Sequence, residues 1–460
     1  MKKLSKFEIT AVILGPIVLL PLVYLYIFVL TMFGPSKAIN IEIEKEYSAI
    51  RGKGEPVTLK ELVPAKVPES ENGAFAYEKA FEKVGEIPKE VEVLLSRKPS
   101  ELTSEERSSI RRFLDNNEEG FYLLEKAITY KQCRFPIDYE QGLLAELSHL
   151  TNLRKCARLL ALKSLWELGN GNSEEAVSTS LQMMSLVEAL STESFLLSQL
   201  VRVAISSIMV RSLQKIILED DSSRETLMSL MNILNTFQEE MKSGLKLAFC
   251  GERCLFIALF KSPEKYLTKE IGFDVPLIKV KYFMDSRFMK GDELYGMRMY
   301  KRIIGLTEVP LHEAIKDSKE LMSDFHKGTG KVIESLGVLK PWRMDELHIF
   351  SAMLLPSFEG AFEIWARHKA ETEEVRIAAA LEIYRMESSL YPKHLQDIPS
   401  QILSPMPKDP FTGEDFIYTK EGDGFILYSV GQNLKDDGGI PRSRKRNEKA
   451  YTDYDIVLGN

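Results

Sequence analysis

From Ile9 to Phe33 the chain runs 25 residues without a charge, preceded by Lys2, Lys3 and Lys6. A helix of that length crosses a hydrocarbon core about 30 Å thick with some tilt. Positive flanks stay on the cytoplasmic side. The pattern therefore predicts a cytoplasmic tail at 1–8, one transmembrane helix (a signal anchor) at 9–33, and a bulk that is extracytoplasmic. A cleaved signal peptide has a shorter apolar core and a small-residue cleavage site, and this segment fits neither. No later stretch holds about 18 uncharged apolar residues in a row, so a single span is expected.

Residues 34–71 read as a linker, with Gly34, Pro35, Gly52, Gly54, Pro56, Pro64 and Pro68 among dense charges. Beyond it, residues 72–350 read as a helical domain. Leu143, Leu147, Leu150, Leu153, Ala157 and Leu160 recur at helical steps from Glu140 to Leu168, with Arg154 and Arg158 on other faces. Gly169-Asn170-Gly171-Asn172 breaks that helix. Ser173 starts the next, with Glu174 and Glu175 at its positive end. A third apolar helix covers about Phe195 to Leu218. Helix, Gly-Asn turn and helix resemble one tetratricopeptide-type hairpin, but no second copy follows at a period of about 34 residues, so a bundle is expected.

The last stretch, 351–460, changes character. A long helix is expected from Leu354 to about Ser389, closed by Tyr391-Pro392. Two β runs follow, Phe416–Tyr418 and Phe425–Tyr428, around the turn Glu421-Gly422-Asp423-Gly424, and Asp455–Leu458 can add a third. The fold class expected is mainly α: one transmembrane helix, a helical bundle or hairpin domain, and a small α+β module.

Charge and cysteine usage narrow the function classes. A net charge of −7 with no basic domain speaks against nucleic acid. Four cysteines in 460 residues make no disulfide framework. Cys133 with Cys156 is the pair a non-cytoplasmic location would permit to bridge; burial as thiols is the competing reading. Cys250 and Cys254 share a helix face, and Glu252 and Arg253 between them read as solvated. Phe256, Phe260, Trp342 and Trp365 read as core, and the charges at 101–119 as a helix surface.

Motifs for chemistry are incomplete. Gly328-Thr329-Gly330-Lys331 lacks the first P-loop glycine and has Val332 in place of the magnesium-binding hydroxyl. His312-Glu313 lacks the second zincin histidine, with Lys316 at that position. No G-x-S-x-G elbow occurs. No catalytic or cofactor-binding residue is assigned.

The order Ala380–Arg385, Leu390-Tyr391-Pro392, Asp409-Pro410-Phe411-Thr412-Gly413-Glu414 and Gly424–Gly431, ending in Tyr454-Asp455-Ile456, resembles the soluble part of the major pseudopilin of bacterial type II secretion. The resemblance covers about residues 355–458. The chain as a whole is similar to membrane-anchored proteins of planctomycete-like bacteria that carry such a tail behind a helical region, a set with no activity to transfer. The prepilin cleavage signature is absent: Lys6 precedes Phe7, and Glu8 is the one acid there. Assembly as a pilus subunit is therefore not expected. The resemblance implies a calcium loop before the last strand, and the matching positions are Asn433, Asp436, Asp437 and Asp455. Calcium takes six to eight hard oxygens. A solvated acidic loop is the alternative, and Arg442, Arg444, Lys445 and Arg446 nearby oppose a cation.

Three functional readings follow. The first is a non-catalytic scaffold or interaction protein of the bacterial inner (cytoplasmic) membrane, touching lipid through 9–33 and binding a protein partner. The second is an accessory component of a type II secretion or pilus-like system. The third is an enzyme with a dispersed site, which requires a deep pocket lined by ionisable groups.

Overall fold

The computed structural model describes Tyr26 and residues 36–219, 222–266, 284–336, 348–355, 357–439 and 455–458. Tyr26 apart, the expected membrane segment lies outside the described residues, as do Trp342 and the loop cations from Arg442 to Arg446.

The fold is mainly helical. The principal helices are α1 (Lys37–Gly52), α2 (Ala74–Lys83), α3 (Ser104–Asp115), α4 (Glu118–Ala127), α5 (Ser148–Gly169) and α6 (Ser173–Glu188). They continue with α7 (Leu196–Glu219), α8 (Arg224–Lys261), α9 (Arg287–Gly305), α10 (Leu311–Leu336), α11 (Ile349–Leu354) and α12 (Ser357–Ser388). Strands β1 (Ile417–Glu421), β2 (Gly424–Ser429) and β3 (Ile456–Val457) form one antiparallel sheet in that order.

The chain divides into two compact units. One draws on segments up to Leu62, Glu252–Gly305 and Asp317–Glu359; the other takes Val63–Gly251, Leu306–Lys316 and everything from Gly360 on. This differs from a boundary at residue 350. The long helices α8, α10 and α12 each contribute to both units, and hydrophobic periodicity carries no mark of where a continuous helix changes partners.

The first unit corrects the linker. Residues 34–71 contain α1, whose Ile43, Tyr47 and Ile50 are buried against Val57, Ile257 and Met297. The glycines and prolines that suggested a spacer lie mostly outside the helix. Tyr47 donates to the Glu293 carboxylate at 2.6 Å, and Lys290 lies 2.8 Å from its other oxygen. Glu42 and Glu46 face Arg298 and Lys301. Asp292, fully buried, accepts from the amides of Phe350 and Ser351 and from the Ser351 hydroxyl, capping α11. Arg253 is another correction. It is 1% exposed and donates to Glu55 at 2.7 Å and to the Pro56 carbonyl at 3.0 Å. Phe256 and Phe260 are core, as expected.

In the second unit α5, α6 and α7 pack as a three-helix stack, each against the other two. The helix expected from Glu140 begins at Ser148, because Gly142 turns to a φ of 58° and residues Tyr139–Leu144 form a 3-10 helix. Leu143 is consequently exposed. The Gly-Asn break and the start at Ser173 are as expected. Arg107, in the charge-rich 101–119 stretch, is no solvated side chain: it donates to the Gly169 and Pro99 carbonyls at 2.7 and 2.6 Å and closes the end of α5.

α7 is the one helix among the described residues long and apolar enough, by length and composition, to cross a membrane. Most of it is buried within its unit. Arg202 inside it donates to the Val187 carbonyl at 3.1 Å, and burial lowers its pKa to about 10. Gln199 donates to the carbonyls of Leu190 and Glu193.

α12 is buried on every side from Val375 to Ile383, Arg376 and Glu382 included. Its buried Glu374 accepts from the Ser429 amide at 3.2 Å. Asp409 accepts from the Ser429 hydroxyl and from the amides of Val430 and Phe411. The Asp409–Glu414 turn is thereby tied to the end of β2. Gly413, at a φ of 77°, packs on the His312 ring, where a Cβ would stand 2.7 Å away. The hairpin turn has Gly422 at a φ of 56°. All three expected strands are present, and Trp365 is core.

Burial holds the Glu374 carboxyl well above the usual carboxylate range, and Glu371 and Asp409 add to this. A raised folded-state pKa stabilises below the unfolded value of about 4.5 and loses that contribution as pH rises through the folded one. Glu374→Gln keeps the acceptor and removes the charge. Its melting temperature should exceed that of the parent by roughly 2–4 °C at pH 8, with the gap closing near pH 4.5. An equal gap at both pH values would remove Glu374 as the cause.

Candidate functional site: a basic and apolar cleft

The second unit contains a half-open cleft of about 850 Å³. Its walls come from α5, α7 and α12, with the segment Glu92–Ser96 along one side. On α7 the lining residues Leu200, Ala204, Ser207, Ile208, Arg211 and Lys215 recur at three- and four-residue steps and form one stripe. α5 contributes Arg154, Arg158, Ala161, Leu165 and Leu168, and α12 contributes Ile364, Arg367 and His368. Val93 and Ile364 stand exposed at the rim.

The lining carries five cationic side chains and one carboxylate. Arg158 pairs with that carboxylate, Glu92, at 2.7 Å. Arg211 pairs with Glu371 at 2.8 Å while remaining 57% exposed. Lys215 donates to the carbonyls of Leu95 and Arg97, which holds the 92–96 segment in place. His368 is buried between Ser206 and Ser207, whose hydroxyls lie 3.1 and 3.4 Å from its two ring nitrogens. Burial pushes its pKa down to about 4, so the ring is neutral at pH 7. A neutral imidazole held between two hydroxyls pins α12 to α7 at the cleft wall.

No family model, curated protein or solved structure matches this chain.

The residues singled out for calcium do come together. Asp455 accepts from the amides of Asp437 and Gly439, at 3.3 and 2.7 Å. Asn433 donates to Asp437 at 2.7 Å, and Tyr428 donates to Asp436 at 2.8 Å. The Gly438 amide also donates to Asp436. The loop thus closes on itself through its own donors, with Leu434 at a φ of 57°. Burial, with Asp436 and Asp437 adjacent, raises the Asp455 pKa. Among the described residues no group of three or more His, Cys, Asp or Glu side chains is placed to hold a metal ion. In this arrangement the carboxylates accept from donors of the loop and of Tyr428.

No disulfide joins Cys133 and Cys156. Burial pushes the Cys156 thiol up to about 12 and Cys133 higher still, which leaves both unreactive at neutral pH. Cys250 and Cys254 are buried on α8. Gly328–Lys331 falls inside α10 and not in a loop ahead of a helix, where phosphate would be cradled.

Sequence reasoning missed the cleft. Arg154 and Arg158 stand out as cations off the apolar face of α5, but Arg211 and Lys215 sit in a helix marked by its apolar residues and Arg367 in one marked by its length. The available signal was the interruption of α7's apolar pattern by a stripe of Ser and basic residues at helical spacing.

Proposed function

We propose that this chain is a non-catalytic binding protein of the bacterial inner membrane, anchored by residues 9–33 with its N-terminus inside and its helical units outside the cytoplasm. The observation that supports the reading is the cleft: an open trough with apolar walls and five cations, which is binding-site chemistry. α1 begins at Lys37, four residues after the apolar segment, and is packed into its unit. Under this reading that unit is held close to the bilayer rather than on a flexible tether.

The test is in-cell photo-crosslinking of the full-length protein, with the crosslinker at Ile364 on the cleft rim or at exposed Tyr122 as control, followed by mass spectrometry. A partner captured from Ile364 and not from Tyr122 is expected. Equal capture from both, or from neither, would remove the support.

A second reading, an accessory role in a type II secretion or pilus-like system, is favoured by the order of long helix, Asp409–Glu414 turn, β-hairpin and final strand. Secretion or pilus-like components among the captured proteins would promote it. Calcium at Asn433, Asp436, Asp437 and Asp455 belongs to that second reading. It predicts a higher melting temperature in calcium than in chelator, and equal values would withdraw the ion.

A further inference from the structure

The cleft's charges are distributed in a way that selects its occupant. His149, in the first turn of α5, lies 2.9 Å from Glu193, just ahead of α7. These two helices therefore start at the same end of the unit and, separated in sequence by the returning α6, run in the same direction. α12 runs the same way, because Ser206 and Ser207 meet His368 while Arg211, further along α7, meets Glu371. In this common frame Arg154 and Arg158 lie in the first half of α5, near one end of the trough. Arg211 and Lys215 lie towards the other. Between them the wall is mostly small and aliphatic, including Ala161, Leu165, Ala204 and Ile208, with Arg367 beside His368 near mid-length. At 1.5 Å per residue, the stripe from Leu200 to Lys215 is roughly 22 Å long.

A single-headed amphiphile such as a fatty acid needs cations at one end and an enclosed apolar chamber at the other. This trough is open along its side and cationic at both ends. An extended peptide covers roughly 22 Å with six or seven residues at about 3.3 Å each. We propose that the cleft binds an extended segment of another protein, six or seven residues long, with acidic residues at both ends and small aliphatic residues between. Arg154 and Arg211 are the anchors for its two ends, since a guanidinium grips a carboxylate through two parallel N–H bonds. This rests on the reading of the chain as a binding protein and names the chemistry of what it binds.

The test uses full-length protein in nanodiscs of neutral lipid. The ligands are a fluorescein-labelled pool of seven-residue peptides with Asp or Glu at the two positions of each end and Ala, Val or Leu at the three central ones. Comparators are the same pool with Lys at the ends, and a fluorescent fatty acid. Saturable binding of the acidic pool alone is expected, weakened about tenfold by Arg154→Ser and again by Arg211→Gln, and weaker at higher salt. A tenfold change is about 1.4 kcal/mol. Arg154 is exposed, so Arg154→Ser should melt as the parent does, whereas Arg211→Gln leaves Glu371, 13% exposed, without its partner and should melt lower. Arg154→Ser therefore separates loss of binding from loss of stability.

Binding that ignores both substitutions overturns the proposal, as does equal binding of the basic pool or binding of the fatty acid alone. If no peptide binds while Ile364 still crosslinks to a partner, the peptide chemistry falls and the binding-protein reading survives. If Ile364 captures nothing, that reading falls as well.

Discussion

Full-length protein carrying Gly251→Ala is expected to melt roughly 6–12 °C below the parent, a loss of about 3 kcal/mol in the second unit. Gly251 sits within α8, where alanine ordinarily favours the helix by about 1 kcal/mol. Here a Cβ would stand 1.7 Å from the Ser194 carbonyl oxygen and 2.7 Å from its carbon. Those are backbone atoms in the turn between α6 and α7, beside Leu190 and Glu193, whose carbonyls accept from Gln199. They cannot swing aside as a flexible side chain would. The clash therefore outweighs the propensity gain. Gly291→Ala is the matched control: it also lies in a helix, nothing stands within 4 Å of its Cβ, and it should be neutral or gain up to about 1 kcal/mol. Calorimetry of the detergent-solubilised variants decides the matter. A Gly251→Ala protein as stable as the parent would mean that α8 and the Ser194 turn are not in this contact.

Arg253→Met should destabilise the first unit by about 3–5 kcal/mol. The substitution keeps much of the volume but leaves the Glu55 carboxylate without its guanidinium and the Pro56 carbonyl without its donor. Glu55 is itself 13% exposed, so water replaces the lost partner poorly. Adding Glu55→Gln should recover a substantial part of the loss, because the stranded charge is then gone. The cycle formed by the two single variants, the double and the parent measures the coupling directly. Additive losses would show that Arg253 acts through packing alone. The consequence for function lies at α1. Arg253 holds the chain that follows this helix, and α1 is the first described element after the proposed anchor, so its loss should also make residues 53–62 more open to proteolysis.

These two positions show where sequence reasoning reached its limit. Arg253 lies between two cysteines on a helix, and a charged residue there is usually solvated. What reverses that is Glu55, almost 200 positions away. Gly251 reads as a tolerated glycine within a helix, until the Ser194 backbone arrives. Glycine and proline punctuate the surroundings of α1 and suggest a spacer, while its buried face of Ile43, Tyr47 and Ile50 is short and set among charges.

By itself the sequence determined the elements whose causes are local: the charge-free run at 9–33, the Gly-Asn break after α5, the start of α6 at Ser173, the bounds of α7 to within about a residue, and the hairpin around Gly422. Turn chemistry and hydrophobic periodicity act over a few residues, so they can be read there. The tertiary structure alone decided that α8, α10 and α12 are shared between two units, that Arg253 is buried, and that Asp455 closes the 433–439 loop. It also decided that cations from α5, α7 and α12, more than 200 positions apart at the extremes, line one trough. The reason is physical: burial of a charge and convergence of a site depend on which helices pack together, and that choice is made by contacts between residues far apart in the chain.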